Sequence, residues 1–286
     1  IGGSRTGSEM LKTMLSVSPE LDFVDELFLY TPRWLHKDLG ANIRQHLGGL
    51  SPRITPKQLV DFLYSGIPYG WFWENVESQL DQGLLQEELD GRDMTMHELM
   101  EAIMLVHARM RNKSGLGAKF PMHYSYTQTL LDWYPDCLLV HTTRNPKAVY
   151  ASQAAKYLQE NQSGISRLWA RFQQFVHINI QTAWTARLHR TLRHLPNYML
   201  VRYEDVIRDP RGQLQILCDF ASVPFLEEML EPKQYGSSFS SIGDGSGVSS
   251  SSLERWRKDI DPITQSFFDT FQRRACRSLG YPLNEN

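Results

Sequence analysis

The sequence contains few cysteines, little net charge and no long apolar run. Its 286 residues include three cysteines, Cys137, Cys218 and Cys276, which are far apart and odd in number. This pattern excludes a disulfide framework and a paired-cysteine metal motif, and it favours a reducing, cytoplasmic compartment. No apolar stretch approaches the roughly 20 residues of a membrane-spanning helix, so we expect no membrane segment in this chain. The chain begins at Ile1, inside a motif and without an initiator methionine, and we therefore expect residues upstream of it.

The charge balance limits the kinds of molecule that the chain is expected to bind. The formal net charge is −2, and no sustained basic run is present. A nucleic-acid backbone is therefore excluded as the expected partner. A small anionic ligand stays compatible with this composition, because a few convergent cations can bind it without a basic surface.

The order of strand-like and helical patterns predicts an α/β fold. Strand-like runs occur at Leu21–Val24, Ala118–Phe120, Cys137–Thr143 and Tyr198–Tyr203. The last three alternate with helical patterns, which favours a central parallel sheet flanked by helices, with ligands at the carboxyl ends of the strands. The range 27–117 is mostly helical in pattern and predicts a helical cap inserted into a single domain of residues 1–286. A Ser- and Gly-rich stretch, Tyr235–Ser252, has the composition of a linker.

The first eleven residues, IGGSRTGSEML, resemble a phosphate-binding loop. Gly2 and Gly7 have the spacing of the G-x-x-x-x-G motif, but Ser8 and Glu9 follow where that motif has lysine and serine or threonine. The remaining backbone N–H groups and helix N-terminus can still hold one phosphate. Arg5, inside the loop, can reach a group attached to that phosphate. A glycine-rich turn before a helix is the alternative explanation.

A second motif, HTTRNPKAVYASQ, predicts a strand that ends at Arg144 and a helix that starts at Pro146. Asn145 can cap that helix, and Ser152 then lies about two turns into it. This spacing can direct a guanidinium and a hydroxyl at a second phosphate. The alternative is a solvated arginine at a strand end and a serine that packs between helices.

Taken together with VRYEDVIRDP, these motifs resemble those of the PAPS-dependent sulfotransferases, and they look closest to the tyrosylprotein-type and bacterial branch. The resemblance spans nearly the whole chain, through GGSRTGSEMLKTMLSVSPEL to DEL, then GAKFP, TTRNPKAVYAS, VRYEDVIRDP and SSSSLERW. It implies a P-loop-like three-layer fold and transfer of the sulfuryl group of PAPS to an acceptor hydroxyl, with 3′,5′-ADP as product. It also implies that no metal is required, because a sulfuryl group carries less charge than a phosphoryl group and side-chain cations can replace the metal.

The resemblance assigns roles to individual residues. The first loop holds the 5′-phosphosulfate, Arg144 and Ser152 match the residues that hold the 3′-phosphate, and Tyr203 matches a residue near the adenine. The implied donor-binding set is Arg5, Thr6, Gly7, Ser8, Glu9, Arg144, Ser152, Tyr203, Ser251, Ser252 and Trp256. For the 3′-phosphate, Arg255 and Arg257 are alternative partners.

The same resemblance implies a catalytic set. Glu26 matches the base that takes the proton of the acceptor hydroxyl, and Asp25 and His123 are the alternatives to it. Arg5 and Lys119 match cations that stabilise the transition state, and Ser238 is a candidate donor to the sulfuryl group.

Glu9 departs from the family pattern, which has threonine there. A carboxylate at this point repels a phosphate, and the spacing Thr6-x-x-Glu9 predicts a capping box that folds it back onto the backbone. Two other functions stay open. One is a P-loop kinase for small molecules, which shares the fold but should show a Walker lysine and an Mg²⁺-binding acid that this loop lacks; the other, suggested by Glu9, is a catalytically silent nucleotide-binding relative. The acceptor is equally open among small-molecule, glycan and peptide hydroxyls, and the sequence does not predict the oligomeric state.

Overall fold

The computed structural model describes residues 1–24, 38–67, 76–119, 121–157, 164–231 and 253–281, without the side chains of 121–123, 155–157 and 165. These residues belong to two compact units, one formed by Ile1–Met14 with Asp136–Asn286 and the other by Leu15–Pro135. As labels for these ranges, we call the first the donor unit and the second the cap unit.

The cap unit contains two short parallel strands and several helices. Strands β1 (Leu21–Val24) and β2 (Gly115–Ala118) pair in register from Leu21 with Gly115 to Val24 with Ala118. The helices in its described residues are α2 (Leu39–Leu47), α3 (Pro56–Leu63), α4 (Gln82–Leu89), α5 (Met96–Met110) and α6 (Thr127–Trp133), the last preceded by a 3₁₀ helix at Pro121–Tyr126.

Strand β1 has the predicted bounds, but β2 begins three residues before the predicted Ala118–Phe120 and ends at Ala118. The prediction of its start was wrong because glycines usually weaken a strand. Here the ring of Phe23 covers Gly117, where an added Cβ would lie 2.6 Å from the ring. Glycine is therefore the residue that lets the two strands approach.

The donor unit is built around strand β3 (Leu139–Thr143). On one side it pairs in parallel with β4 (Tyr198–Arg202). On the other side Gly2 forms a parallel bridge to Thr142, and the N–H of Thr142 donates to the carbonyl of Ile1 at 2.9 Å. The first residues thus extend the sheet, and the loop that follows them begins at its edge.

Helices account for most of the donor unit. They are α1 (Ser8–Leu15), α7 (Pro146–Tyr157), α8 (Ile165–Leu192), α9 (Tyr203–Arg208), α10 (Pro210–Ala221), α11 (Trp256–Asp259), α12 (Pro262–Phe271) and α13 (Arg273–Ser278), with a 3₁₀ helix at Glu227–Leu230. Aspartates cap two of these helices, since Asp209 accepts from the N–H of Gly212 at 3.0 Å and Asp261 from that of Thr264 at 2.9 Å. Tyr203, predicted as the last residue of a strand, instead begins α9.

The core of the donor unit lies between α7, α8 and the C-terminal helices. Its buried residues are Ala148, Val149, Tyr150, Ala151, Ile178, Trp256, Ile260 and Phe268. Among the described helices, none is both long enough and apolar enough to cross a membrane.

Candidate donor-binding site

The loop between the first strand segment and α1 holds its shape through backbone conformation and one aromatic contact. Arg5 has φ 67° and Gly7 has φ 93°, both in the left-handed region, which costs free energy for a residue other than glycine. A Cβ on Gly7 would lie 2.6 Å from Cδ2 of Tyr203. Tyr203 therefore packs directly on the loop, just before α1 begins at Ser8.

Two threonines connect this loop to the sheet. The buried hydroxyl of Thr6 donates to the carbonyl of Gly3 at 2.8 Å and lies 2.7 Å from the hydroxyl of Thr142 on β3. A hydrogen bond inside a buried site is costly to lose. Thr6, predicted as a donor-binding residue, thus has its side chain committed to the loop.

The capping box predicted between Thr6 and Glu9 is not among the hydrogen bonds of the described residues. Its carboxylate lies 3.0 Å from the ammonium of Lys12, one turn further along α1, and the hydroxyl of Thr6 is bonded to Gly3 and Thr142 instead. Glu9 and Lys12 can pair because residues three apart are neighbours on the surface of a helix. The ion pair with Lys12 offsets the negative charge that Glu9 brings to the loop.

Arg5 and Ser152 meet although 147 positions separate them. Nε of Arg5 donates to Oγ of Ser152 on α7 at 3.0 Å. The sequence placed Ser152 beside Arg144, at the second phosphate. In the structure its hydroxyl accepts from the guanidinium of Arg5, so that the serine of the second motif lies beside the loop of the first.

Arg144 lies over the ring of Tyr203. Its guanidinium carbon is 4.1 Å from the ring centroid, a cation–π distance. Since Tyr203 also packs on Gly7, the second cation and the first loop share one aromatic side chain. The two predicted phosphate-binding motifs therefore form one connected group at the carboxyl end of β3.

Glu204 is a site residue that sequence reasoning missed. Its carboxylate, buried at the start of α9, accepts from the N–H of Asn145 at 2.9 Å and from the hydroxyl of Tyr281 at 3.1 Å. Asn145 in turn caps α7, since Oδ1 accepts from the N–H of Lys147 at 3.0 Å. Glu204 thus fixes the backbone that directly follows Arg144. Burial and the negative charge of Glu204 raise the pKa of Tyr281 well above its usual value.

Gln181 is a second residue that the sequence did not indicate. It is buried in α8 and its amide lies against Gly3, where an added Cβ would meet Nε2 at 1.8 Å. A single glutamine in a 28-residue helix carries no sequence signal for such a contact.

The remaining predicted residues are placed as follows. Lys119 is buried directly after β2 in the cap unit. Trp256 is buried in the core of the donor unit, with the ammonium of Lys147 5.0 Å from its ring centroid. Glu26, Asp25, Ser238, Ser251 and Ser252 lie outside the described residues, as does the side chain of His123.

Tyr281→Phe should lower the free energy of unfolding by about 1 kcal/mol, because it removes one hydrogen bond to the buried carboxylate of Glu204. Chemical denaturation measures this change. Tyr150→Phe is the matched control: both tyrosines are 7% exposed, and the hydroxyl of Tyr150 makes no hydrogen bond within the described part of the chain. Equal effects of the two substitutions would contradict the role given to Glu204.

The described site combines two guanidinium groups with a glycine-rich loop at a helix N-terminus. Such groups bind anions through charge and backbone N–H donors. Within the described ranges, no group of three or more His, Cys, Asp or Glu side chains could hold a metal ion.

A model of the sulfotransferase family matches residues 1–228 of the chain. Among solved structures, the chain is similar to the sulfotransferase domain from the curacin biosynthetic pathway, with 19% identity, a TM-score of 0.58, and coverage of 99% of this chain and 96% of that one. It is also similar to the sulfotransferase domain of the olefin synthase of Synechococcus PCC 7002, with 19% identity, a TM-score of 0.57, and coverage of 99% and 94%. The comparison with curated sequences finds no match. The structural similarity confirms the predicted fold class, a P-loop-like α/β fold.

Proposed function

The chain belongs to the sulfotransferase family, and from this premise we propose that it transfers the sulfuryl group of PAPS to an acceptor hydroxyl. The family predicted from the motifs is thereby confirmed, while the tyrosylprotein-type branch stays a prediction. PAPS carries two separate anionic groups, the 5′-phosphosulfate and the 3′-phosphate, so its recognition needs cations at two places.

One observation carries this proposal: the first loop, Arg144 and Ser152 are in contact through shared partners. Arg5 bonds to Ser152, and Tyr203 contacts both Gly7 and the guanidinium of Arg144. In the proposed complex the loop, with the N–H groups at Thr6, Gly7, Ser8 and Glu9, holds the 5′ side of PAPS. Arg144 and Ser152 hold the 3′-phosphate, and Tyr203 lies near the adenine.

The absence of a Walker lysine in the sequence fits this donor. In a P-loop kinase that lysine holds the β- and γ-phosphates, and a serine or threonine holds Mg²⁺. PAPS has neither phosphate. Arg5 and Lys119 are proposed to stabilise the negative charge that develops as the bond between sulfur and the bridging oxygen breaks, which is the largest contribution in reactions of this kind.

The transfer itself needs a base. The acceptor oxygen attacks sulfur in line, the bond from sulfur to the 5′-phosphate oxygen breaks, and 3′,5′-ADP leaves. The acceptor proton goes to Glu26, which follows β1 by two residues. Lys119 comes directly after β2, the strand that pairs with β1, and the last residues of the two strands, Val24 and Ala118, are partners. Because parallel strands end at the same edge of a sheet, this register supports roles for Glu26 and Lys119 at one place.

Further parts of the proposal concern the rest of the chain. Ser238 is proposed to donate to the sulfuryl group, and Ser251 and Ser252 to a phosphate. Trp256, which packs on α7, is proposed to anchor the chain directly after Ser251 and Ser252. Residues 27–117 are proposed as the cap of a single domain, which selects the acceptor from small-molecule, glycan or peptide hydroxyls.

3′,5′-ADP should stabilise the protein against heat more than 5′-AMP does, because only the former has the 3′-phosphate that Arg144 and Ser152 bind. Mass action adds about 2.7 kcal/mol at a hundredfold excess of ligand over Kd. Thermal unfolding without Mg²⁺ measures the difference. Equal stabilisation by both nucleotides, or a requirement for Mg²⁺, would count against PAPS as donor.

Transfer of label from PAPS to a panel of hydroxyl acceptors tests the activity itself. A small-molecule kinase would instead transfer the γ-phosphate of ATP in the presence of Mg²⁺. A silent relative would bind 3′,5′-ADP and transfer nothing to any acceptor, which is the outcome that the carboxylate of Glu9 leaves open.

A further inference from the structure

Helix α8 exposes a continuous apolar stripe. Leu168, Phe172, Val176, Ile180 and Trp184 follow one another at intervals of four residues, and Trp169 lies beside the first two. Residues four apart are neighbours on a helix surface, so these side chains form a row that winds slowly around most of the helix. The rings of Trp169 and Phe172 are 5.7 Å apart.

The stripe continues onto α12 within the same unit. Half-buried Phe175, three residues from Phe172, has its ring centroid 6.3 Å from those of both Phe267 and Phe271. These two rings stack on each other at 6.1 Å. We call the whole set the apolar face; its exposed members are Leu168, Trp169, Phe172, Val176, Ile180, Trp184, Ile263, Phe267 and Phe271.

The apolar face is larger than an isolated domain usually exposes. Its nine side chains are between 38% and 71% exposed. Five are aromatic, and since an aromatic side chain presents about 150–250 Å², these five alone expose about 400–700 Å². The largest apolar patch of a typical monomer is about 300–600 Å² in total and is often functional. The four aliphatic residues take this face beyond that range.

The charges of α8, which supplies six of the nine members of the apolar face, have one sign, whereas α12 carries Asp269 and follows the exposed Asp261. The 28 residues of α8 include no Asp or Glu, whereas Arg167, Arg171, Arg187 and Arg190 are all exposed. The guanidinium of Arg187 lies 5.6 Å from the ring centroid of Trp184. Asp269, on α12, is paired with Lys147 at 2.6 Å.

The next helix adds to the same charge. Arg273, Arg274 and Arg277 are exposed on α13, and Gln272, at its start, is hydrogen-bonded to Asn179 of α8. Seven exposed arginines thus lie on two helices that contact each other, in a chain whose net charge is −2.

We propose that the apolar face binds the surface of a lipid bilayer that contains anionic lipids. A helix with Trp, Phe and Leu on one side and arginine beside them lies in the plane of the interface, with its apolar side chains below the headgroups. The arginines extend to the lipid phosphates, and each basic residue near such a surface adds to the attraction. A second copy of the chain fits this face less well, because it would bring two arginine-rich, acid-free helices together.

Flotation of the whole protein with vesicles tests the proposal. We expect binding to vesicles of phosphatidylcholine with phosphatidylglycerol, much weaker binding to phosphatidylcholine alone, and loss of binding at high salt, since salt screens the charge term. Trp169→Ser with Phe172→Ser should weaken binding at least tenfold. Arg187→Gln with Arg190→Gln should do the same on anionic vesicles only.

Two control variants replace exposed residues that do not belong to the apolar face. Ile216→Ser replaces an aliphatic residue that is 51% exposed on α10, and Arg53→Gln replaces an exposed arginine of the cap unit. Both should bind vesicles as the unchanged protein does, and all variants should keep their affinity for 3′,5′-ADP.

Three results would overturn the proposal. One is no flotation with anionic vesicles, and another is equal binding by the face variants and the controls. The third is a dimer in solution that the Trp169→Ser, Phe172→Ser variant dissociates, because the occupant would then be a second copy.

Discussion

Arg144→Ala should weaken the binding of 3′,5′-ADP by about 30- to 150-fold, or about 2–3 kcal/mol, while the fold stays intact. The substitution removes a charge-assisted contact to the proposed 3′-phosphate position. It also removes the guanidinium that lies 4.1 Å from the ring of Tyr203, but a partly exposed cation–π pair contributes only about 0.5–1 kcal/mol. Isothermal titration calorimetry with 3′,5′-ADP measures the loss.

The controls separate a phosphate contact from a change in the loop. Arg193→Ala removes an exposed arginine of the same unit and should leave the affinity unchanged. The affinity for 5′-AMP should be nearly the same in Arg144→Ala as in the original protein. A comparable loss for 5′-AMP would mean that Arg144 acts through Tyr203 on the first loop. Unchanged affinity for 3′,5′-ADP would move the 3′-phosphate to Arg255 or Arg257.

Glu26→Gln should lower kcat by about 10²- to 10⁴-fold and leave PAPS binding nearly unchanged, because general base catalysis contributes a factor of that size. Glutamine keeps the size of the side chain and cannot take the proton. The rate of label transfer at saturating PAPS and acceptor measures kcat, and calorimetry measures donor binding.

Asp25→Asn is the matched control, since it removes a carboxylate one residue away. In an extended backbone adjacent side chains point to opposite sides, so only one of the two is expected to act. Near-normal turnover in Glu26→Gln together with a large loss in His123→Ala would assign the base to His123 and refute the role of Glu26.

Local signals explain most of what the sequence predicted about the fold. The bounds of β1 and the start of α7 at Pro146, after its cap Asn145, depend on a few neighbouring residues. The start of β2 depends instead on a contact between Gly117 and Phe23, almost a hundred positions apart. Such a contact has no local sequence pattern, and the strand was placed three residues late.

The candidate site shows the same division. Motif spacing identified Arg5, Arg144 and Ser152, and the family resemblance added Tyr203. In the structure Arg5 bonds to Ser152, and Tyr203 contacts both Arg144 and the loop residue Gly7. Motif spacing did not predict that Ser152 bonds to Arg5. Nor did it indicate that Glu204 would be buried between Asn145 and Tyr281, because a carboxylate next to a motif tyrosine is ordinarily expected in solvent.

The pairing of Gly2 with Thr142 bears on how the chain is made. The first loop depends on β3 for its position, and 140 residues separate the two in sequence. At about 5–20 residues per second, the ribosome needs roughly 7–28 s to add that stretch. During this time the glycine-rich segment has no strand beside it. Arg5 lacks its hydrogen bond to Ser152, and nothing then stabilises its left-handed backbone conformation. The loop is therefore synthesised well before the strand that positions it and takes its final shape only after that strand is made, so a protease that cleaves near Arg5 should distinguish nascent chains from finished ones.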